Sequence, residues 1–193
     1  MIQFWIDTET TGLDIYNDSI IQLACIVRVD GEETERHNWK MRPYRKNKVD
    51  AGATRAHGIT QAEAETFPDQ EIAFKEFCDM MDRYRLGIDD KAYFCGYNSE
   101  FDLQMVMKWF EYNGRYNFTY KIFTPDWDVM RILGPVFAIN NVRQYMPNFK
   151  LVTVYKTLFN EDYSDAHDAM ADIEATIRLN DAYTSKYFPG FKG

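Results

Sequence analysis

One stretch constrains the fold of this chain more than any other: Ile2-Gln3-Phe4-Trp5-Ile6-Asp7-Thr8-Glu9-Thr10-Thr11-Gly12-Leu13. An apolar run leads straight into an acid, passes one residue, reaches a second acid and breaks at Gly12. A short apolar run bounded by a turn signal reads as a buried strand. Side chains alternate faces along a strand, so Asp7 and Glu9 leave its end on the same side. Two carboxylates on one face repel each other, and burying them even partly is costly without a positive charge between them. A hard divalent cation with oxygen ligands meets that need. Two solvated acids at an ordinary strand end would meet it equally well, so the later residues decide.

Ser19 to Val29 is β-branched and apolar and reads as a second strand. Asp30-Gly31 is a two-residue hairpin signal, and Glu33 to Met41 is the expected return strand. With Ile2–Asp7 these form a three-stranded meander. The return strand runs into Lys40, Arg42, Arg45, Lys46 and Lys48, five bases within nine residues, followed by Arg55. They read either as a solvated loop or as a phosphate-facing rim. A net charge of −8 argues against duplex binding driven by phosphate neutralisation. It leaves room for a nucleic-acid enzyme whose acids are neutralised by metal.

Thr60 with Glu63 is a capping box for a short helix. Pro68-Asp69 opens a helix that carries Ile72, Phe74, Phe77, Met80 and Met81 and ends near Gly87. Lys91 to Tyr97 is a buried strand that passes directly into a helix through Asn98-Ser99-Glu100-Phe101-Asp102, closing at Asn113-Gly114. That junction aims Asp102 at the carboxyl end of the strand, where ligands bind in open α/β sheets. Asn117 to Trp127 is a further expected strand. A helix around Val129–Leu133 follows, then an irregular stretch with Pro135 and Pro147, and a helix over Leu151–Phe159. The last helix is expected from Ala166 to Tyr187, with Ile173 and Ile177 facing inward. Asp172 sits there beside small Ala169 and Thr176, and His167 lies five residues before it.

At 193 residues, 46% hydrophobic and 27% charged, residues 1–193 suit one globular domain. No apolar run has the length of a membrane span, and the first residues resemble a core strand rather than a signal peptide. Cys25, Cys78 and Cys95 fit buried reduced thiols of a cytoplasmic protein. Asp7, Glu9, Asp102, His167 and Asp172 each fall at an element end, where distant parts of an α/β sheet meet. Four carboxylates and a histidine suit two divalent ions about 3.5–4 Å apart, an arrangement for in-line displacement at phosphorus. A neutral histidine near the attacking water can take its proton.

These residues carry a family resemblance. The chain resembles the DEDDh-type 3′–5′ exonucleases of the DnaQ-like, ribonuclease H-like superfamily, to which the proofreading subunit of bacterial replicative polymerases belongs. Its three motifs are Asp7-Thr8-Glu9-Thr10-Thr11-Gly12-Leu13, Tyr97-Asn98-Ser99-Glu100-Phe101-Asp102 and Ala166-His167-Asp168-Ala169-Met170-Ala171-Asp172. Ala56-His57-Gly58-Ile59-Thr60 and Asn148-Phe149-Lys150-Leu151 match as well. The resemblance implies an α/β, ribonuclease H-like three-layer fold with a central mixed five-stranded sheet flanked by helices. It implies Asp7, Glu9 and Asp172 on one ion, Asp7 and, directly or through water, Asp102 on a second, both Mg²⁺ or Mn²⁺, and His167 as general base. It places Thr8, Thr10 and Leu13 against a terminal nucleotide, with Asn98 and His57 near the strand. Tyr97 departs from the family, which usually carries histidine there. Asp165 and Asp168 are rival ligands, Asp168 reading first as a cap. Most aromatic residues belong to the core; Tyr16 and Tyr97 are close enough to the motifs to touch a base.

The implied reaction releases nucleoside 5′-monophosphates from a free 3′ end. The expected substrate is single-stranded or frayed DNA, with RNA trimming as the alternative within the family. A rival of another class is a non-catalytic nucleic-acid or polymerase-binding module, which would be expected to have lost ligands. A DNA polymerase partner and a homodimer are compatible with the family. No long polymerase-binding tail is expected after the last helix, and no membrane association.

Overall fold

The central strand, β1 (Ile2–Thr10), runs further than the apolar pattern suggested, so both acids lie within it. In this computed structural model, which describes residues 1–86, 91–116, 118–162 and 168–187, β1 pairs antiparallel with β2 (Ile20–Val29). Strand β2 pairs antiparallel with β3 (Glu32–Lys40). Asp30 and Gly31 join them with φ of 51° and 87°, the left-handed pair that a tight hairpin requires. On its other side β1 pairs parallel with β4 (Ala92–Gly96), and β4 pairs parallel with β5 (Ile122–Asp128). The sheet is therefore mixed and five-stranded, in the order β3-β2-β1-β4-β5. Charged Glu32, Glu33, Glu35, Arg36 and Lys40 lie along edge strand β3, where they discourage pairing with another chain.

Alternation along β1 sorts the two cores. Phe4 and Ile6 pack with Phe77 of α3 (Gln70–Arg83) and with Trp109 and Phe110 of α4 (Glu100–Tyr112). Trp5 packs with Leu133 of α5 (Val129–Ile139), Val154 of α6 (Leu151–Phe159) and Ile173 and Leu179 of α7 (Ala169–Tyr187). Helices thus cover both faces, giving the three layers that the resemblance implies. Carrying the alternation forward puts Asp7 and Glu9 on the α7 side and Thr8 on the α4 side. Among the described residues most aromatic side chains lie in these clusters or pack against them, and the rings of Phe74 and Trp109 meet edge to face at 5.0 Å.

Several boundaries differ from the sequence reading. A helix, α1 (Ala51–His57), precedes α2 (Gln61–Ala64); Asp50 caps the first and Thr60 the second. Pro135 lies inside α5 instead of ending it near Leu133. Proline removes one bond to the carbonyl four residues back. Val129, Leu133 and Phe137, spaced by four, form a continuous buried stripe on either side of it, and this packing outweighs the lost bond. Strand β5 starts at Ile122 because Phe118–Tyr120 form a 3₁₀ turn. Residues 163–167 lie outside the described residues, and with them the expected helix start at Ala166. No helix among the described residues is long and apolar enough to cross a membrane.

Candidate active site

Three acids from two distant parts of the chain converge at the carboxyl end of β1. Asp7 and Glu9 project from one face of the strand, and Asp172 comes from the first turn of α7; a ligand oxygen from each lies within 4.8 Å of the others. The start of α7 is fixed by Asp168. Its Oδ1 accepts from the Met170 N–H at 3.0 Å, its carbonyl accepts from the Asp172 N–H at 3.0 Å, and its Oδ2 accepts from Gln22 Nε2 at 2.9 Å. Gln22 is the cross-strand partner of Glu9. Asp168 is therefore the expected cap, and Gln22 ties that cap to the strand bearing the acids. The sequence reading missed Gln22. A single amide in the apolar run of β2 was the available signal, because a buried polar group must find partners.

The electrostatics of the cluster are one-sided. Burial, then Asp102, Asp172, Glu9 and Asp168 in turn, push the Asp7 carboxyl well above the usual carboxylate range. Burial, then Asp172, Asp102 and Asp168, raise Glu9 to about 8. Among the described residues, the charges acting on both are carboxylates. Burial lifts Asp102 to about 7, although the Thr8 hydroxyl at 2.6 Å and N–H at 2.9 Å, both donating to Oδ1, pull it down. Burial first and neighbouring carboxylates second thus favour the protonated forms of Asp7 and Glu9. An all-oxygen donor set with excess negative charge fits a hard divalent ion.

The fourth predicted ligand is placed differently from the other three. Asp102, buried on the first turn of α4, approaches from the opposite face of the sheet and is held by Thr8. It lies close enough to raise Asp7 and Glu9, but its oxygens are not part of the converging triad. His167 and Asp165 lie outside the described residues.

Beside the triad opens a pocket of about 410 Å³, walled by Thr8, Thr10, Leu13, His57 and Phe101 among others. Four of the five predicted substrate contacts thus share one pocket. Asn98 is not among its walls: it is exposed with φ 57°, and its N–H donates to Asp128 Oδ1 at 2.9 Å. His57 Nδ1 accepts from the Ile59 N–H at 3.1 Å, so its ring proton sits on Nε2 and is donated to the Thr10 carbonyl at 3.1 Å. His57 therefore packs against the loop and walls the pocket at once. The Thr8 hydroxyl donates to Asp102 and that of Thr10 to the Gly12 carbonyl at 2.6 Å, so these threonines give the pocket shape rather than free donors.

Gly12 acquires a packing reason that the sequence reading lacked. A Cβ there would lie 2.6 Å from Asp18 Oδ2 and 2.9 Å from Asp50 Oδ2. Buried Asp18 accepts from the Thr11 hydroxyl and the Asp14 N–H, both at 2.8 Å, pinning the loop behind the acids. Tyr97, which the sequence suggested as a contact for a base, is half-buried. Its hydroxyl donates to the Phe149 carbonyl at 2.7 Å and its ring packs into the α5–α7 core. Arg45, from the basic segment, donates to the carbonyls of Ile15 and Lys108, the latter at 2.7 Å.

A family model described as Exonuclease matches residues 4–180. Among solved structures, the zinc-bound complex of Escherichia coli exonuclease I with single-stranded DNA superposes with a TM-score of 0.79 at 23% identity, covering 96% of this chain and 41% of that one. E. coli exonuclease I with a dA16 oligonucleotide gives a TM-score of 0.80 at 22% identity, with 96% and 41% covered. A further exonuclease I structure gives 0.77 at 24%, with 97% and 41% covered. At these identities the likeness is one of fold. The chain spans about two fifths of the length of these structures. Comparison with curated proteins gives no match.

Proposed function

The chain belongs to the exonuclease family whose model it matches over residues 4–180, and on that footing we propose that it hydrolyses phosphodiester bonds from the 3′ end of single-stranded DNA, releasing nucleoside 5′-monophosphates. The observation that carries this reading is the convergence of Asp7, Glu9 and Asp172 beside a nucleotide-sized pocket. In this reading Asp7, Glu9 and Asp172 would hold one divalent ion, and Asp7 with Asp102, directly or through water, would hold a second, Mg²⁺ or Mn²⁺. Bound there, the ions supply the positive charge that a phosphodiester anion and its departing oxygen require.

The chain's own residues do the rest. Leu13 and Phe101 offer apolar surface to a terminal sugar or base, and His57 holds the Thr10 carbonyl that walls their pocket. Thr8 fixes Asp102 by two bonds, so that carboxylate arrives preorganised. His167 takes the proton of the attacking water as general base. Single-stranded DNA is favoured as substrate because the structures sharing this fold include exonuclease I bound to it. Trimming of RNA is the alternative within the family.

The test is product analysis with Mg²⁺ on a single strand labelled at either end. The expected outcome is stepwise shortening from the 3′ end with release of 5′-mononucleotides. Attack from the 5′ end, internal cleavage, or binding without any product under Mg²⁺ or Mn²⁺ would overturn the reading. A matched RNA strand in the same assay decides between the two substrate classes.

A further inference from the structure

A second groove lies along α4 beyond the pocket described above. It encloses about 660 Å³, and Tyr16, Lys46, Lys108, Tyr112 and Tyr116 are among its walls. Tyr16, Tyr112 and Tyr116 are 67%, 51% and 73% exposed, a concentration of solvent-facing rings that the core does not explain. Lys108 sits 4.9 Å above the ring of Tyr16, and Arg45 stacks near Tyr44 and Tyr112. Glu111 pairs with Lys108 at 2.8 Å. Arg45 donates to two carbonyls and its charge is felt by Asp14, Lys46 is exposed, and the walls carry three bases against the single acid Glu111. On a protein of net charge −8 this is a locally basic, aromatic channel.

Its position relative to the acids follows from chain continuity. Phe101 walls the pocket beside the acids and Lys108 walls the groove. They are seven residues apart on one helix, hence on the same face and about 10 Å apart along the axis. The loop after the acids makes the same bridge, with Leu13 in the pocket and Tyr16 in the groove. At about 3.4 Å per stacked nucleotide, that distance corresponds to the third nucleotide.

We propose that this groove binds the single strand about three nucleotides upstream of the end being cut, with bases stacked on Tyr16 and Tyr116 and phosphates facing Lys46, Lys108 and Arg45. Aromatic platforms in a basic groove are sequence-tolerant, because every base has a π-face and every linkage one charge. This inference rests on the exonuclease reading and extends it to the length of strand the enzyme engages.

The test compares KM for dithymidylate and dodecathymidylate in the unmodified protein and in the Tyr16→Ala/Tyr116→Ala variant, whose changes fall on exposed positions. The KM of the dodecamer is expected to rise about ten-fold, and that of the dimer by less than about two-fold. In Lys46→Gln, the dependence of the dodecamer's KM on salt should become shallower by about one phosphate contact. An unchanged dodecamer KM, or equal increases for both lengths, overturns the groove while leaving the exonuclease reading standing. If the unmodified protein cuts neither substrate, the exonuclease reading fails. The groove is then read by equilibrium binding of fluorescent dodecathymidylate to the same two proteins: about ten-fold weaker binding by the variant supports it, and equal affinity overturns it.

Discussion

Two groups of three acids sit at the carboxyl ends of β1 and β5, with β4 between them, and behave in opposite ways. At β5 and the start of α4, Glu100, Asp126 and Asp128 share the guanidinium of Arg131, at 3.6 Å for Asp126 and 3.3 Å for Asp128. Asp128 is buried; its Oδ1 caps α5 and takes the Asn98 N–H, while its Oδ2, with no hydrogen-bond partner, faces the arginine's charge. At β1, Asp7, Glu9 and Asp172 converge, and the charges acting on Asp7 and Glu9 among the described residues come from other acids. The chemistry of the acids is the same in both places. One guanidinium faces the first cluster, whereas the charges that act on Asp7 and Glu9 among the described residues are all negative. A carboxylate cluster is thus informative only together with its counter-charge.

The sharpest way to break this contrast is Asp7→Asn. It should cost at least about 10³-fold in Mg²⁺-dependent nuclease activity. Without divalent ions the same change should raise Tm at alkaline pH, where Asp7 would otherwise ionise among other acids. Substantial residual activity, or a lowered Tm in EDTA at that pH, would sink the assignment of Asp7 to an ion site.

Next comes pH. Asp7, Glu9 and Asp102 hold protons in the folded state more tightly than an unfolded chain would, with Glu9 near 8 against 4.5 and Asp102 near 7 against 3.8. Their contribution to stability is therefore complete below the unfolded values and is lost as pH rises through 7 and 8. Thermal melts in EDTA should show Tm falling over that window, and Mg²⁺ should flatten the fall. A metal-free Tm that rises through the window would contradict the geometry.

The other cluster is tested by Arg131→Leu, which leaves Asp128 buried without a counter-charge and should cost about 2–3 kcal/mol in urea unfolding. Adding Asp128→Asn to that variant should restore part of the loss. A cost below about 0.5 kcal/mol would place the pair among ordinary surface ion pairs and erase the contrast. The smallest effect is expected from Gly12→Ala. Its methyl group must displace the Asp18 and Asp50 carboxylates, at about 1–2 kcal/mol, and the shifted loop should raise KM more than it lowers kcat.

The amino-acid sequence determined a large part of this protein by itself. Apolar runs, the Asp30-Gly31 hairpin and the strand-to-helix junction at Tyr97–Asp102 specified the strands and the antiparallel meander, because these signals are local and carry their own periodicity. The mixed five-stranded sheet was implied by the family resemblance. The two-residue spacing of Asp7 and Glu9 put both on one side, and Asp172 five residues after His167 marked the third acid's helix. Local pattern could not decide Pro135, whose place inside α5 depends on a buried stripe packed against a distant layer. Nor could it find Gln22, whose importance arises only when Glu9 lies opposite it across the ladder and Asp168 reaches it from α7. Tyr97 looked available because its sequence neighbours are site residues, but the fold commits its hydroxyl to Phe149. The resemblance assigned Asp102 to a second ion, directly or through water, apart from Glu9 and Asp172. Strand parity brings Thr8 rather than Asp7 to its side of the sheet, so it is held one step behind the triad. Only the tertiary structure could separate acids that a guanidinium already satisfies from acids left to repel one another, because a counter-charge is set by distance in space and not along the chain.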